Sequence, residues 1–206
     1  MKWVWFSVAV IVGMSLSFVV LRGFTGEDNW ICQNGSWVRH GKPSAPKPTK
    51  LCMGAKLRAS SMKLTSSAFT DSQAIPRQYS CLGQGINPPL TITGVPSGVN
   101  SLALILYDPD APGGIFHHWI LWNIPAQIQE IPAGITLPAF IEGTNSSGKV
   151  GYTPPCPPTG THRYVFTLYA LDTMINLLAT TTASGLEQSM KNHIISEATL
   201  TGTYHQ

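Results

Sequence analysis

Ser101-Leu-Ala-Leu-Ile-Leu-Tyr107 runs straight into Asp108-Pro-Asp-Ala-Pro112, and that junction decides how the chain reads. A short, continuous apolar run predicts a central strand covered on both faces. The two carboxylates that follow do not belong in a core, so the strand must end at a rim. The same arrangement recurs twice. His117-His118 opens the apolar run His118-Trp-Ile-Leu-Trp-Asn-Ile124, which Pro125 stops. Gly160-Thr-His162-Arg163 opens Tyr164-Val-Phe-Thr-Leu-Tyr-Ala-Leu171, and Pro154-Pro-Cys-Pro-Pro158 lies just before it. Prolines preset a stiff loop, and X-Pro bonds are where cis peptides occur. Ionisable residues at the ends of apolar strands, next to a stiff loop, predict a small polar pocket at one rim of a sheet.

Outward from these strands the signals stay mostly β. Thr91-Ile-Thr93 follows Asn87-Pro-Pro-Leu90, and Gly94-Val-Pro-Ser-Gly98 turns the chain. With 19 Gly and 16 Pro in 206 residues, a loop-rich, mainly β fold is favoured over a helical bundle. One helix is expected near the C-terminus. Ser184-Gly-Leu-Glu187 forms a capping box, and Leu186, Met190, Ile194 and Ala198 recur every four residues along one stripe. Thr199-Leu-Thr-Gly-Thr-Tyr204 is expected to return as an edge strand.

The formal charge of +3 is unevenly spread. Gly23 to Lys63 holds seven Lys/Arg against two acids, whereas Leu64 onward holds four against eight. A nucleic-acid binder should be basic where it folds, and here the folding part is acidic, so nucleic acid is disfavoured. Nineteen uncharged residues, Trp3 to Leu21, separate Lys2 from Arg22, and fifteen of them are apolar. As a helix they would span about 28 Å, enough for a bilayer core. They predict an N-terminal transmembrane anchor over 1–22, with the remainder extracytoplasmic. The alternative is a cleaved signal and a secreted chain, but Phe18-Val-Val-Leu-Arg22 offers no small-residue cleavage site. Residues 23–61 read as a basic, Pro-rich tether. Asn34-Gly35 within it predicts a small hairpin turn, and Gly41 to Lys50 predicts extended chain. The globular domain is expected over 62–206.

Cys32, Cys52, Cys81 and Cys156 include no C-x-x-C pair, which argues against structural zinc. Disulfides between Cys81 and Cys156 and between Cys32 and Cys52 are expected. Two free, buried thiols are the alternative for the pair in the domain. Asn34-Gly-Ser36 and Asn145-Ser-Ser147 match the N-glycosylation pattern.

Asp108-Pro-Asp-Ala-Pro112, His117-His118 and Gly160-x-His162-Arg163-Tyr164 together resemble the phosphatidylethanolamine-binding protein family. Asn87-Pro-Pro-Leu90 and Pro154-Pro-Cys-Pro-Pro158 look like its bacterial and archaeal Raf-kinase-inhibitor-like branch. The resemblance covers about residues 62–206 and implies a β-sandwich with a C-terminal helix and a small-anion pocket. Carried over position by position, the pocket would be lined by Asp108, Asp110, His118, Pro157, Pro158, His162 and Tyr164. Two departures bear on its mouth. The loop from Pro158 to His162 is shorter than in animal members, and only Gly113-Gly-Ile-Phe116 stands where they carry an insertion.

The expected ligand is a phosphate-containing small molecule or a phospholipid headgroup. Two imidazoles and the Tyr164 hydroxyl can donate to its oxygens. Asp108 is expected to orient one imidazole and raise its pKa. Asp110 would bond the loop backbone or attract the amine of a zwitterionic ligand. Arg163 reads equally as a ligand contact or as half of a salt bridge. No cofactor or metal is expected. His117 and His118, being adjacent on a strand, must point to opposite faces, and the resemblance implies no metal. No G-x-S-x-G motif supports a hydrolase, and Cys156 with His162 is a remote nucleophile–base candidate. The chain therefore reads as a binding protein and not an enzyme, with acid–base work by Asp108 and His118 left open. The alternative function is inhibition of a protease or kinase through a protein interface.

Overall fold

The structure is a computed structural model that describes residues 29–33, 36–49, 62–135 and 140–206. The chain divides into two units, Met1–Arg58 and Ala59–Gln206. In the first, β1 (Asn29–Gln33) and β2 (Ser36–His40) pair antiparallel, as the hairpin expectation requires, with Trp30 opposite Arg39. The Arg39 guanidinium sits 5.5 Å from the Trp30 ring centroid, a cation–π distance. The Trp30 indole N–H donates to the Ala45 carbonyl at 2.8 Å. This bond ties the start of the Pro-rich stretch back to the hairpin. Cys52 and the apolar 3–21 segment lie outside the described residues. Among the described residues no helix is long and apolar enough to cross a membrane. This corrects the expectation of a transmembrane anchor holding an extracytoplasmic domain: no described element supplies the span, and the segment on which it rested is not described.

The second unit contains β3 (Lys63–Thr65), β4 (Gln73–Ala74), β5 (Leu90–Thr93), β6 (Ser101–Asp108), β7 (Phe116–Pro125) and β8 (Glu130–Ile131). It continues with β9 (Ile141–Glu142), β10 (Thr161–Leu171), α1 (Ala183–Met190) and β11 (Ile194–His205). A six-stranded sheet runs in the order β4-β11-β10-β6-β7-β9, and a three-stranded sheet in the order β3-β5-β8. The reading of β6 as doubly covered holds. Leu102, Leu104 and Leu106 join a core with Leu64, Leu90, Ile92 and Ile131 of the smaller sheet. Ala103 and Ile105 point the other way, into a second core with Ile120, Trp122, Ile175, Leu186 and Met190. The result is a mainly β sandwich with one helix laid on its outer face. Close layering demands small residues locally: a Cβ on Gly202 would lie 2.5 Å from Ile75 Cγ1 and 2.8 Å from Phe69 Cε2.

The helix is shorter than its stripe predicts. Leu186 and Met190 are buried on it, but Ile194 and Ala198 belong to β11. Asn192, with φ of 70°, turns the chain after α1, and β-branched Ile194-Ile195 then starts a strand. A helix there would leave one edge of β10 without partners. Instead β11 pairs along all of β10, from Ile194 opposite Leu171 to His205 opposite Thr161. The N-cap is Thr182, with no side-chain cap bond, so the Ser184 box does not form. The last strand is also longer than expected and is not an edge, because β4 pairs parallel on its outer side. No peptide bond among the described residues is cis.

Candidate functional site

β6 ends where β7 and β10 begin, because both pair with it antiparallel: Tyr107 lies opposite His117 on one side and Val165 on the other. This topology gathers all three polar strand ends at one rim, where a cavity of about 210 Å³ opens. Of the sequence-predicted residues, Asp108, His118, Pro157, Pro158, His162 and Tyr164 line it. Asp110 does not. Its carboxylate takes Arg163 N–H and Nε–H, each at 2.9 Å, and Nη2–H at 2.7 Å. These bonds hold its pKa at about 2. Asp110 and Arg163 thus join the loop after β6 to the start of β10.

Tyr107 pairs with His117 and Leu106 with Trp119, so His118 is the extra residue of a bulge in β7. Its ring turns into the pocket, while that of His117 turns outward, 6.3 Å from that of Tyr107 and within the field of Glu187 on α1. His118 Nδ1–H donates to the Thr153 carbonyl at 2.8 Å, and the Thr153 N–H returns a bond to the His118 carbonyl at 2.8 Å. Its ring packs 4.7 Å from Phe116 and edge-on to Tyr164 at 5.2 Å. Burial pushes the His118 pKa down. The Thr153 bond by itself favours the charged ring and is outweighed by burial. It also leaves only Nε2 of the two ring nitrogens for a ligand, which narrows the expectation of freely donating imidazoles. Asp108 does orient an imidazole, that of His162, whose Nδ1–H donates to Oδ2 at 2.7 Å. The Asp110 N–H occupies Asp108 Oδ1 at 2.8 Å, so both carboxylate oxygens are engaged and the pair is buried.

Tyr164 is 0% exposed, and its Oη has no hydrogen-bond partner. Burial first, and the Asp108 charge second, push the phenol well above its ordinary pKa. The Cys156 backbone N–H opposes that shift from outside hydrogen-bond geometry, and an N–H is no acceptor in any case. The hydroxyl hydrogen is therefore a buried donor without an acceptor, an arrangement folded proteins rarely tolerate without a role.

Several contributors escaped the sequence reading. Phe116, Ala111, Pro112 and Thr153 also line the cavity. Thr153 acts through its backbone, for which the sequence carries no signal. Asn145 was legible only as a glycosylation site, and the structure corrects this. It is 4% exposed, and its amide donates to Gly151 O and Thr153 Oγ1, each at 2.9 Å. Its Oδ1 accepts from Ser147 N–H and Oγ–H and from Lys149 N–H. Asn145 is thus a keystone under the segment that presents Thr153 to His118. The Pro-rich loop is clamped by the expected Cys81–Cys156 disulfide and by the Cys81 N–H donating to Pro155 O at 3.0 Å. The Cys32–Cys52 expectation lies outside the described residues. Among the described residues no group of three or more His, Cys, Asp or Glu is placed to hold a metal ion. A larger hollow of about 410 Å³, along Thr91–Val95 and Ala126–Gln129, carries no ionisable side chain, so the chemistry sits at the strand rim.

The family model described as phosphatidylethanolamine-binding protein matches residues 65–205. A UPF0098 protein of Chlamydia muridarum is 43% identical over 150 residues, spanning 70% of this chain and 99% of the relative. One from Methanothermobacter thermautotrophicus gives the same identity and coverage. Among solved structures, a phosphatidylethanolamine-binding protein homologue from Chlamydia trachomatis superposes with a TM-score of 0.70 at 41% identity, over 71% of this chain and 99% of that one. Escherichia coli YbcL, described as a new member of the mammalian family, gives 0.66 at 30% identity, over 70% and 98%. Polar strand ends around one rim pocket, a sandwich that superposes on these structures and a family match across the whole domain agree: the chain belongs to the phosphatidylethanolamine-binding protein family.

Proposed function

We propose that the domain binds a small phosphorylated molecule or a phospholipid headgroup in the rim pocket, as a binding protein and not an enzyme. The observation that carries this reading is the Tyr164 hydroxyl, a neutral donor buried at the pocket with no acceptor of its own. An oxyanion oxygen is the acceptor that such a donor holds most strongly. The cavity is below the roughly 300 Å³ at which drug-sized sites begin, which suits a headgroup. The Cys156 sulfur is bonded to Cys81 and is no free nucleophile. Nucleophilic catalysis by Cys156 with His162 as base therefore falls away.

Calorimetric titration of the protein and its His118→Ala variant with inorganic phosphate and phosphoethanolamine tests the reading. Saturable binding by the wild type that the variant loses is expected. Equal binding by both, or none by either, would remove it.

A further inference from the structure

Resting on that reading of the pocket as an oxyanion site, we infer that it selects an oxyanion that carries a proton. The class is inorganic phosphate or a phosphomonoester in its hydrogen-phosphate form, and near neutral pH sulfate and phosphodiesters are rejected.

The argument begins with the partners of the two imidazoles. His118 Nδ1 lies 2.8 Å from the Thr153 carbonyl. A carbonyl offers only lone pairs, so Nδ1 must carry the hydrogen. In a neutral ring Nε2 is then a bare acceptor. His162 is constrained alike, because its Nδ1 faces the Asp108 carboxylate at 2.7 Å. Neither Nε2 has a partner among the described residues. The only fully buried, unpartnered side-chain polar atoms there are Trp122 Nε1 and Tyr164 Oη. The two Nε2 atoms are therefore open to the cavity that both rings line.

Whatever charge His162 carries, the pocket presents a mixed pattern. Tyr164 Oη–H needs an acceptor, and His118 Nε2 needs a donor. Sulfate and a phosphodiester have only lone pairs near neutral pH, and would set an oxygen against the His118 lone pair. A phosphomonoester with a P–OH group satisfies both partners at once. The alternative, protonating His118, is opposed by its surroundings. Of the groups facing it, only the Asp108 carboxylate and the Thr153 carbonyl favour a second proton; burial and the neighbouring His117 and His162 oppose it. The distinction also separates the two ligand sources. A phospholipid headgroup linked as a diester lacks the P–OH, whereas a free phosphomonoester has it.

The test is calorimetry on the full chain at about pH 7.5, where sulfate carries no proton and an unperturbed imidazole is mostly neutral. The probes are inorganic phosphate, phosphoethanolamine, sulfate and glycerophosphoethanolamine. Phosphoethanolamine, mostly without its P–OH proton at this pH, should bind with uptake of a proton, seen as an enthalpy that depends on the buffer's heat of ionisation, whereas inorganic phosphate keeps a P–OH and should bind without that uptake. Sulfate and the diester should bind about a hundredfold more weakly, the worth of one hydrogen bond to a charged group. Phosphoethanolamine affinity should fall about tenfold per pH unit above about pH 6, where its second proton leaves. In acid, sulfate should begin to bind, as His118 becomes a donor. His118→Gln, which brings an amide N–H, should collapse the phosphate-to-sulfate ratio; the wild-type pH series stands without it. Sulfate within about threefold of phosphate at neutral pH, against that hundredfold, would overturn the inference and leave the anion site standing. Failure of all four probes to bind would overturn the anion site as well.

Discussion

Replacing Tyr164 by Phe removes one oxygen from a ring that is otherwise fully packed, and its two consequences should have opposite signs. In the ligand-free protein Oη is buried without a partner, an arrangement that costs roughly 1–3 kcal/mol. Deleting it recovers much of that penalty and leaves an oxygen-sized gap worth about 0.3 kcal/mol at ~24 cal/mol per Å³. The variant should therefore be more stable by about 1 kcal/mol, or roughly 3–5 °C in Tm for a domain of this size. Phosphate binding should move the other way. Losing a hydrogen bond to a charged oxygen costs about 1.5–3 kcal/mol, a 10- to 150-fold weaker Kd. Urea unfolding without phosphate and calorimetry with it read the two effects separately. A variant destabilised by about 1 kcal/mol or more, the worth of an ordinary internal hydrogen bond, would mean that Oη has an internal acceptor. Unchanged phosphate affinity would mean that it does not face the ligand. Either result refutes the reasoning.

Opening the Cys81–Cys156 disulfide, whose ends are 75 residues apart in sequence, should cost about 4 kcal/mol on chain entropy and weaken phosphate binding as the Pro154–Pro158 loop loosens. Unfolding and titration of the Cys81→Ser/Cys156→Ser variant check both effects. Asn145→Ala should cost about 2–4 kcal/mol in urea unfolding, since it strands several buried groups. Mass spectrometry after expression in a glycosylating host should find Asn145 of the folded protein unmodified. Burial lowers the pKa of His117 and of His118, so the unfolded chain takes up protons first as pH falls through about 6.5, and the ligand-free domain should lose stability across that window. Asp110, held at about 2, instead contributes stability above the ordinary carboxylate range and loses it only toward that value. A urea midpoint that stays flat from neutral pH to about pH 5.5 would contradict the histidine assignment.

The rim pocket was legible because its signals are local. The apolar runs of β6, β7 and β10 announce strands covered on both faces, and Asp108, His118 and His162 interrupt them where a core cannot. Antiparallel pairing then has to bring those ends together. The reach of α1 was not legible, because Ile194 and Ala198 continue a helical period as well as they alternate on a strand. The long ladder with β10 outweighs the period, and no local pattern records it. Asp108 and Asp110 stand two residues apart, yet which one faces the cavity depends on the turn after β6 and on Arg163. Thr153 fixes the tautomer of His118 through a backbone oxygen, and Asn145 supports Thr153 from within what reads as a surface motif. Neither contribution depends on side-chain type in a way that a sequence displays. The anchor expectation rested on the 3–21 segment alone, and nothing in the described fold takes its place.

The central claim is that Tyr164, His118 and His162 converge on one oxyanion. A crystal structure of the protein at saturating phosphate tests it most directly. The account predicts tetrahedral density in the rim cavity, with one oxygen in hydrogen-bond reach of Tyr164 Oη and others facing the two Nε2 atoms. An empty cavity under those conditions, or phosphate seated away from Tyr164, would contradict it.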